Sequence, residues 1–127
     1  MTERVLVLAQ DLIWADRLRR AVLAAGAEPV VVGTASAARA ALADAGPRYV
    51  VVDLTARAYD AIDAIGLAVG AGAEVLAVGQ HDDVPERKRA LAAGARKVLA
   101  YRKLADDGPA TIAAWLAAGR TDAATGR

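Results

Sequence analysis

The sequence contains no cysteine, which excludes a disulfide framework, a thiolate metal site and a cysteine nucleophile. It also contains no phenylalanine and only one histidine. The 16 basic and 15 acidic residues leave a net charge of +1. They form no run of like charge long enough for a polyanion-binding arm, so the composition gives no indication of nucleic acid as a partner.

Long hydrophobic runs are absent near the start of the chain. Residues 5–9 are the only apolar stretch before Gln10 and Asp11, too short for the core of a signal peptide or for a membrane-spanning helix. We therefore predict a soluble cytoplasmic protein with no membrane partner. The length of 127 residues suits one domain, which we place at 1–119, followed by a flexible tail at 120–127.

Short runs rich in valine and leucine alternate with alanine-rich stretches of helical period. This pattern is typical of βα units around a parallel sheet. We predict strands at 5–9, 29–32, 49–53, 74–79 and 97–101. The second opens with Pro29 and the fifth is flanked by Arg96 and Arg102, so we place these two at the edges. The result is an α/β fold with a doubly wound five-stranded sheet of order 2-1-3-4-5 and helices on both faces.

Apolar spacing and end signals define the helices. The first is the clearest, because Trp14, Leu18 and Val22 share one face and Gly26 follows. We predict the others at 36–44 (ending near Gly46-Pro47), at 58–69, from Pro85 to Gly94, and from Pro109 to Gly119. Trp14 and Trp115 are expected to pack against the sheet, with a partner surface as the alternative.

Asp53 is the one charged residue of the apolar run 49–54. An acid that closes a buried strand lies at the edge where open parallel sheets bind ligands and carry out chemistry. Its structural alternative is an Asx-turn or a helix cap, in which the carboxylate accepts backbone N–H groups.

Several segments resemble the receiver domain of two-component response regulators. The phrases at 4–8, 19–26 and 90–95 are similar to that family's first strand, the end of its first helix and the approach to its fifth strand. The resemblance covers nearly the whole chain and implies a flavodoxin-like fold. It also implies that Asp53 is a candidate phosphoacceptor, with a histidine kinase or an output protein as partner and a possible homodimer.

The positions that support phosphorylation in that family differ here. Receivers bind Mg²⁺ through two adjacent acids after strand one, whereas this chain has Ala9 and Gln10, with Asp11 one place later. A one-residue offset at a strand end points a side chain in another direction. Asp11 and Asp53 are therefore the remaining metal candidates.

Two further supporting positions have also changed. The family's hydroxyl residue at the end of strand four aligns with Gly79, and its lysine aligns with Tyr101, which leaves Lys103 two residues further along. We therefore predict a degenerate receiver, or pseudo-receiver, that acts through protein contacts and is not an enzyme. No cofactor is expected unless Asp53 is phosphorylated, which would require Mg²⁺.

Two alternatives stay open. One is a working phosphoacceptor in which Asp11 and Lys103 replace the missing partners. The other is a small-ligand sensor in the crevice near Asp11, Asp53 and His81, where His81 could also join the carboxylates around a metal. The full set of crevice candidates is Gln10, Asp11, Gly79, His81, Tyr101 and Lys103.

A mixed-charge surface on the fourth helix and fifth strand is the candidate protein interface. Acids lie among its basic residues, which suits a protein partner better than a phosphate backbone. The interface candidates are Arg87, Lys88, Arg96, Lys97, Tyr101 and Arg102. The alternative is an ordinary solvated face.

Overall fold

A computed structural model describes residues 2–43 and 48–124. The strands are Arg4–Leu8 (β1), Glu28–Val32 (β2), Tyr49–Asp53 (β3), Glu74–Gly79 (β4) and Lys97–Ala100 (β5). The helices are Leu12–Ala24 (α1), Ala35–Ala43 (α2), Ala61–Gly70 (α3), Val84–Ala93 (α4) and Tyr101–Ala124 (α5).

All five strands are parallel and follow the order β2-β1-β3-β4-β5. The predicted α/β fold, strand order and edge strands are therefore confirmed. β3 is buried along its whole length, as its continuous valine run predicts for a strand covered on both faces. The register pairs Asp53 with Val78 of β4, so Asp53 reaches the carboxyl edge next to Gly79.

Two apolar layers cover the sheet. On one face, α1 and α5 pack over the sheet with a core that includes Leu18, Val22, Ile112 and Trp115. On the other face, α2, α3 and α4 close a second core around Ile65 and the small side chains of the alanine-rich helices. Trp115 is 4% exposed, as predicted, and its ring meets Tyr49 edge-on at 5.4 Å between centroids.

Aspartates begin three of the helices. Asp11, Asp60 and Asp83 each cap a helix by accepting backbone N–H groups of the first turn. At the other end of α4, Gly94 takes the left-handed conformation (φ 116°) that glycine adopts without strain. Among the described residues, no helix is long and apolar enough to cross a membrane.

The last helix differs from the prediction. Tyr101 begins α5 and is not the last residue of β5, and the helix is broken at Asp107 (φ −149°, ψ 31°) before Pro109. The start signal at Pro109 therefore marks the second segment, and the first segment was missed because its turn and a half has little apolar periodicity. Residues 120–124, predicted as part of the tail, continue the helix, and the predicted end of the second helix at Gly46-Pro47 lies outside the described residues.

Candidate functional site

Asp53 ends β3 and is 1% exposed. Its Oδ1 atom accepts three hydrogen bonds, from the backbone N–H of Thr55 (3.1 Å), the Thr55 hydroxyl (2.9 Å) and the phenol of Tyr101. The contact with the N–H two residues on is the Asx-turn given above as the structural alternative. The carboxylate is therefore bound from the following loop and from the start of α5.

The second carboxylate oxygen is in a different situation. Oδ2 of Asp53 is buried and has no hydrogen-bond partner among the described residues. Behind it, the Tyr59 hydroxyl lies 2.7 Å from the Asp53 carbonyl oxygen and 3.0 Å from that of Leu8, and donates to this pair. Tyr59 thereby ties the ends of β3 and β1 together, and burial raises the pKa of its phenol.

Tyr101 covers Asp53 from the first turn of α5. Burial and the hydrogen bond to Asp53 raise the pKa of the Tyr101 phenol, which keeps it a neutral donor at physiological pH. Its ring stacks on Trp14 of α1, with the centroids 4.1 Å apart and the planes at 31°. The half-buried Trp14 thus packs against Tyr101 and holds the phenol over the carboxylate.

Gln10 and Asp11, in the turn between β1 and α1, accept hydrogen bonds from backbone N–H groups through their side chains. The Gln10 Oε1 atom accepts from the N–H groups of Arg57 (2.8 Å) and Ala58 (3.0 Å), which fixes the loop after β3. Asp11 Oδ1 accepts from Ile13 (2.9 Å) and Trp14 (3.0 Å) as the cap of α1. These contacts are structural and bring neither side chain to Asp53.

Gly79 ends β4 beside Asp53 and has little free space. A Cβ atom added there would lie 3.1 Å from Cδ1 and 3.3 Å from Cβ of Leu54. A side chain at this position would therefore require a small shift of Leu54, which is 9% exposed.

These residues give an incomplete set of ligands for Mg²⁺. The ion prefers octahedral oxygen ligands and is usually bound through one or two carboxylates. Here the Gln10 amide oxygen accepts two N–H groups and Asp11 Oδ1 caps α1, so Asp53 Oδ2 is the buried carboxylate oxygen of this group that has no hydrogen-bond partner among the described residues. In the part of the chain that the structure describes, no three His, Asp or Glu side chains are grouped to hold a metal ion.

The other crevice candidates are directed elsewhere. Lys103 pairs with Asp107 one helical turn later, at 3.4 Å, and does not contact Asp53. His81 lies with Arg102, Lys103 and Asp106 along a separate groove of about 320 Å³. The structure therefore does not bring His81 into the set around Asp53.

The candidate interface on α4 and β5 is partly engaged within the chain. Arg96 forms a two-pronged ion pair with Glu74, with both N···O distances 2.7 Å. Arg87 is half-buried and its Nε has no hydrogen-bond partner among the described residues, whereas Lys88, Lys97 and Arg102 are exposed. Tyr101 turns inward to Asp53, so its hydroxyl is not part of this surface.

Sequence reasoning missed Thr55 and Tyr59. The Asp-x-Thr spacing at 53–55 is a local signal for a hydroxyl that returns to the preceding carboxylate, and it could have indicated Thr55. Nothing local indicates Tyr59, because its partner Leu8 is 51 residues away in the sequence.

The fold is the flavodoxin-like fold of receiver domains, and similar solved structures are response regulator receiver domains. A signal receiver domain of a putative LuxO repressor protein from Vibrio parahaemolyticus has a TM-score of 0.83 at 17% identity, with 98% of each chain covered. NtrX from Brucella abortus, in complex with ADP, has a TM-score of 0.86 at 19% identity, over 99% of this chain and 30% of that one.

A third similar structure contains a modified aspartate. It is a response regulator protein from Burkholderia pseudomallei with a phosphorylated aspartic acid, a calcium ion and citrate, with a TM-score of 0.69 at 18% identity, over 77% of this chain and 59% of that one. No protein-family model matches this chain. No curated protein matches it either.

Proposed function

We propose that this chain is a receiver-fold signalling module that acts through protein contacts without a Mg²⁺-dependent phosphorylation cycle. The observation that carries the proposal is the hydrogen bond from Tyr101 to Asp53. By resemblance, a receiver has a lysine at the position of Tyr101, and a lysine would supply positive charge to an incoming phosphoryl group. A neutral phenol supplies one hydrogen bond and no charge.

Two further observations support it. Gly79 has no hydroxyl to contact a phosphoryl group, and a side chain there would require Leu54 to shift. Fewer oxygen ligands are free for a divalent cation, because the Gln10 amide oxygen and one carboxylate oxygen of Asp11 accept backbone N–H groups. Phosphoryl transfer depends on positioned charge, so the loss of the hydroxyl and of part of the ligand set weakens the stabilisation of the transition state.

The experiment is intact-mass analysis after incubation with acetyl phosphate and Mg²⁺. The wild type is compared with Asp53→Asn, and the Burkholderia response regulator serves as the positive control. We expect no phosphate-sized gain for the folded wild type. A gain that Asp53→Asn abolishes would overturn the proposal.

A reconstruction makes the same assay informative in the other direction. The double variant Gln10→Asp/Tyr101→Lys returns one acid and the lysine to the family's positions, and adding Gly79→Ser returns the hydroxyl. Labelling that appears in these variants and disappears with Asp53→Asn would assign the missing chemistry to these positions.

The alternative, a working phosphoacceptor, has one observation in its favour. Asp53 Oδ2 accepts no hydrogen bond from the described residues, which leaves it as the oxygen that could attack phosphorus. Asp53 is only 1% exposed, so Tyr101 would have to swing away first. Labelling of the wild type that becomes faster in Tyr101→Ala would favour this alternative. The small-ligand sensor stays a prediction, with ligand-dependent thermal stabilisation as its test.

A further inference from the structure

A groove of about 490 Å³ runs between α1 and α5. It is lined by two small side chains of α1, Ala21 and Ala24, and by Leu104 of α5. Trp14 and Pro109 form apolar walls, and Pro109 follows the break in α5 at Asp107. The groove is therefore an open apolar channel next to the site.

The charged residues that line this groove are both arginines, Arg17 and Arg20. Arg20 shares Asp16 with Arg19, at 2.8 Å from each. The Arg17 guanidinium lies 4.9 Å from the centre of the Trp14 ring and has no ion-pair partner among the described residues. From α5, Lys103 and Asp107 neutralise each other. The rim of the groove is thus net positive.

The exposed face of α1 extends the same surface. Ile13, Arg17, Arg20 and Ala24 follow one another at helical spacing and form a single stripe. Ile13 is 63% exposed and adds apolar surface to the end of this stripe. From Ile13 to Ala24 the stripe is about 16 Å long, the length of about three helical turns.

This groove is in direct contact with the site. Trp14 is one of its walls, Trp14 stacks on Tyr101, and Tyr101 donates to Asp53. A partner's side chain in the groove would contact Trp14. Through Trp14 it would affect the position of the Tyr101 phenol above the buried carboxylate. Packed side chains that share contacts in this way can couple two sites energetically.

We propose that the α1–α5 groove binds an acidic amphipathic helix of a partner protein, and that Trp14 and Tyr101 transmit its binding to Asp53. The partner's apolar residues would fill the channel, and its carboxylates would pair with Arg17 and Arg20. The proposal rests on the proposed function in that it supposes action through protein contacts. It names a different surface from the mixed-charge patch on α4 and β5.

The test uses two synthetic 14-residue peptides. Both carry leucines at helical spacing (i, i+3, i+4, i+7), one with glutamate and the other with lysine at the remaining positions. Each is titrated into the ¹⁵N-labelled chain and followed by NMR, with the indole N–H of Trp14 and the amide of Ala24 as groove reporters and the amide of Thr55 as the Asp53 reporter. We expect the glutamate peptide to shift all three signals.

Matched variants locate the surface. Arg17→Glu, at an exposed position, should weaken binding of the glutamate peptide by roughly threefold to tenfold, because one exposed ion pair becomes a repulsion. Lys88→Glu makes the same charge change on α4 and should leave the affinity unchanged. Tyr101→Phe should keep the affinity and remove the shift at Thr55.

Three results would overturn the proposal: no binding of the glutamate peptide, equal binding of the lysine peptide, or a loss on Lys88→Glu as large as that on Arg17→Glu. A Thr55 signal that moves equally in Tyr101→Phe would refute the transmission to Asp53. The acetyl phosphate assay is independent of this one. If the chain is phosphorylated by acetyl phosphate and still binds the glutamate peptide at the groove, only the proposed function is refuted. If the chain is not phosphorylated and does not bind the peptide, only this inference is refuted.

Discussion

Replacing Tyr101 with phenylalanine removes a single oxygen atom from the site. The ring can keep its stacking on Trp14, so the packing of α1 against α5 stays intact. What is lost is the hydrogen bond to Asp53 Oδ1 and the contact of the phenol with the Thr55 hydroxyl. The variant therefore measures how much the phenol contributes to the hydrogen-bonded group around the buried carboxylate.

The size of the effect follows from the remaining contacts. Hydrogen bonds to charged groups contribute roughly 1.5–3 kcal/mol to stability. Because Thr55 keeps two donors on the same oxygen and Tyr101 is only half-buried, we expect a loss of about 1–1.5 kcal/mol, at or just below the low end of that range. Since urea slopes for small domains are about 1–3 kcal/mol per molar, the unfolding midpoint should fall by roughly 0.3–1.5 M.

A double-mutant cycle separates the hydrogen bond from other effects of the substitution. In an Asp53→Ala background the phenol has no carboxylate to bind and keeps only its contact with the Thr55 hydroxyl, so Tyr101→Phe should cost less there. The difference between the two backgrounds should be about 0.5–1.5 kcal/mol. Equal losses in both backgrounds would refute the reasoning, since the phenol would then stabilise the fold without Asp53.

Three further predictions concern caps, titration and packing. Asp11→Ala should lower the free energy of unfolding by about 1 kcal/mol and Asp11→Asn by much less, measured by urea unfolding, because the side chain caps α1. Burial raises the pKa of Tyr49, Tyr59 and Tyr101, so the native chain should show no phenolate absorbance at 295 nm near pH 10, where the urea-unfolded chain titrates. The stability that these neutral phenols contribute is complete below pH 10 and is lost as the pH rises further; a native phenol that titrates near 10 would contradict this. Gly119→Ala should destabilise by about 1–3 kcal/mol, seen as a lower Tm, since its Cβ would lie 2.6 Å from a ring carbon of Tyr49.

The fold could be predicted from the sequence because its signals are local. The valine runs of β1, β3 and β4 have no polar alternation, which requires helices on both faces, and Pro29 marks an edge strand. Glycines and prolines then predict most of the helix ends to within a few residues. The start of α5 was predicted wrongly. Pro109 is a start signal, and the residues before it show no strong apolar period, so the segment from Tyr101 was not recognised as helical.

The site could be predicted in position but not in contacts. The strand pattern predicts that Asp53 lies at the carboxyl edge of the sheet, and the resemblance to receiver domains adds Gly79 and Tyr101. That Tyr101 turns inward to Asp53 depends on where β5 ends and α5 begins, and a shift of one residue there redirects the side chain. The use of Gln10 on backbone N–H groups 47 and 48 residues away likewise depends on tertiary structure, which no local pattern encodes.

The break at Asp107 divides the last helix between two tasks. The segment before it carries Tyr101 and adds only Leu104 to the buried core, whereas Ile112, Trp115 and Leu116 all follow the break. Substitutions in the two segments that share no contact should therefore have additive effects on stability. Such a division allows the residues around Asp53 to change during evolution without loss of the packing that holds the second segment of α5 on the sheet.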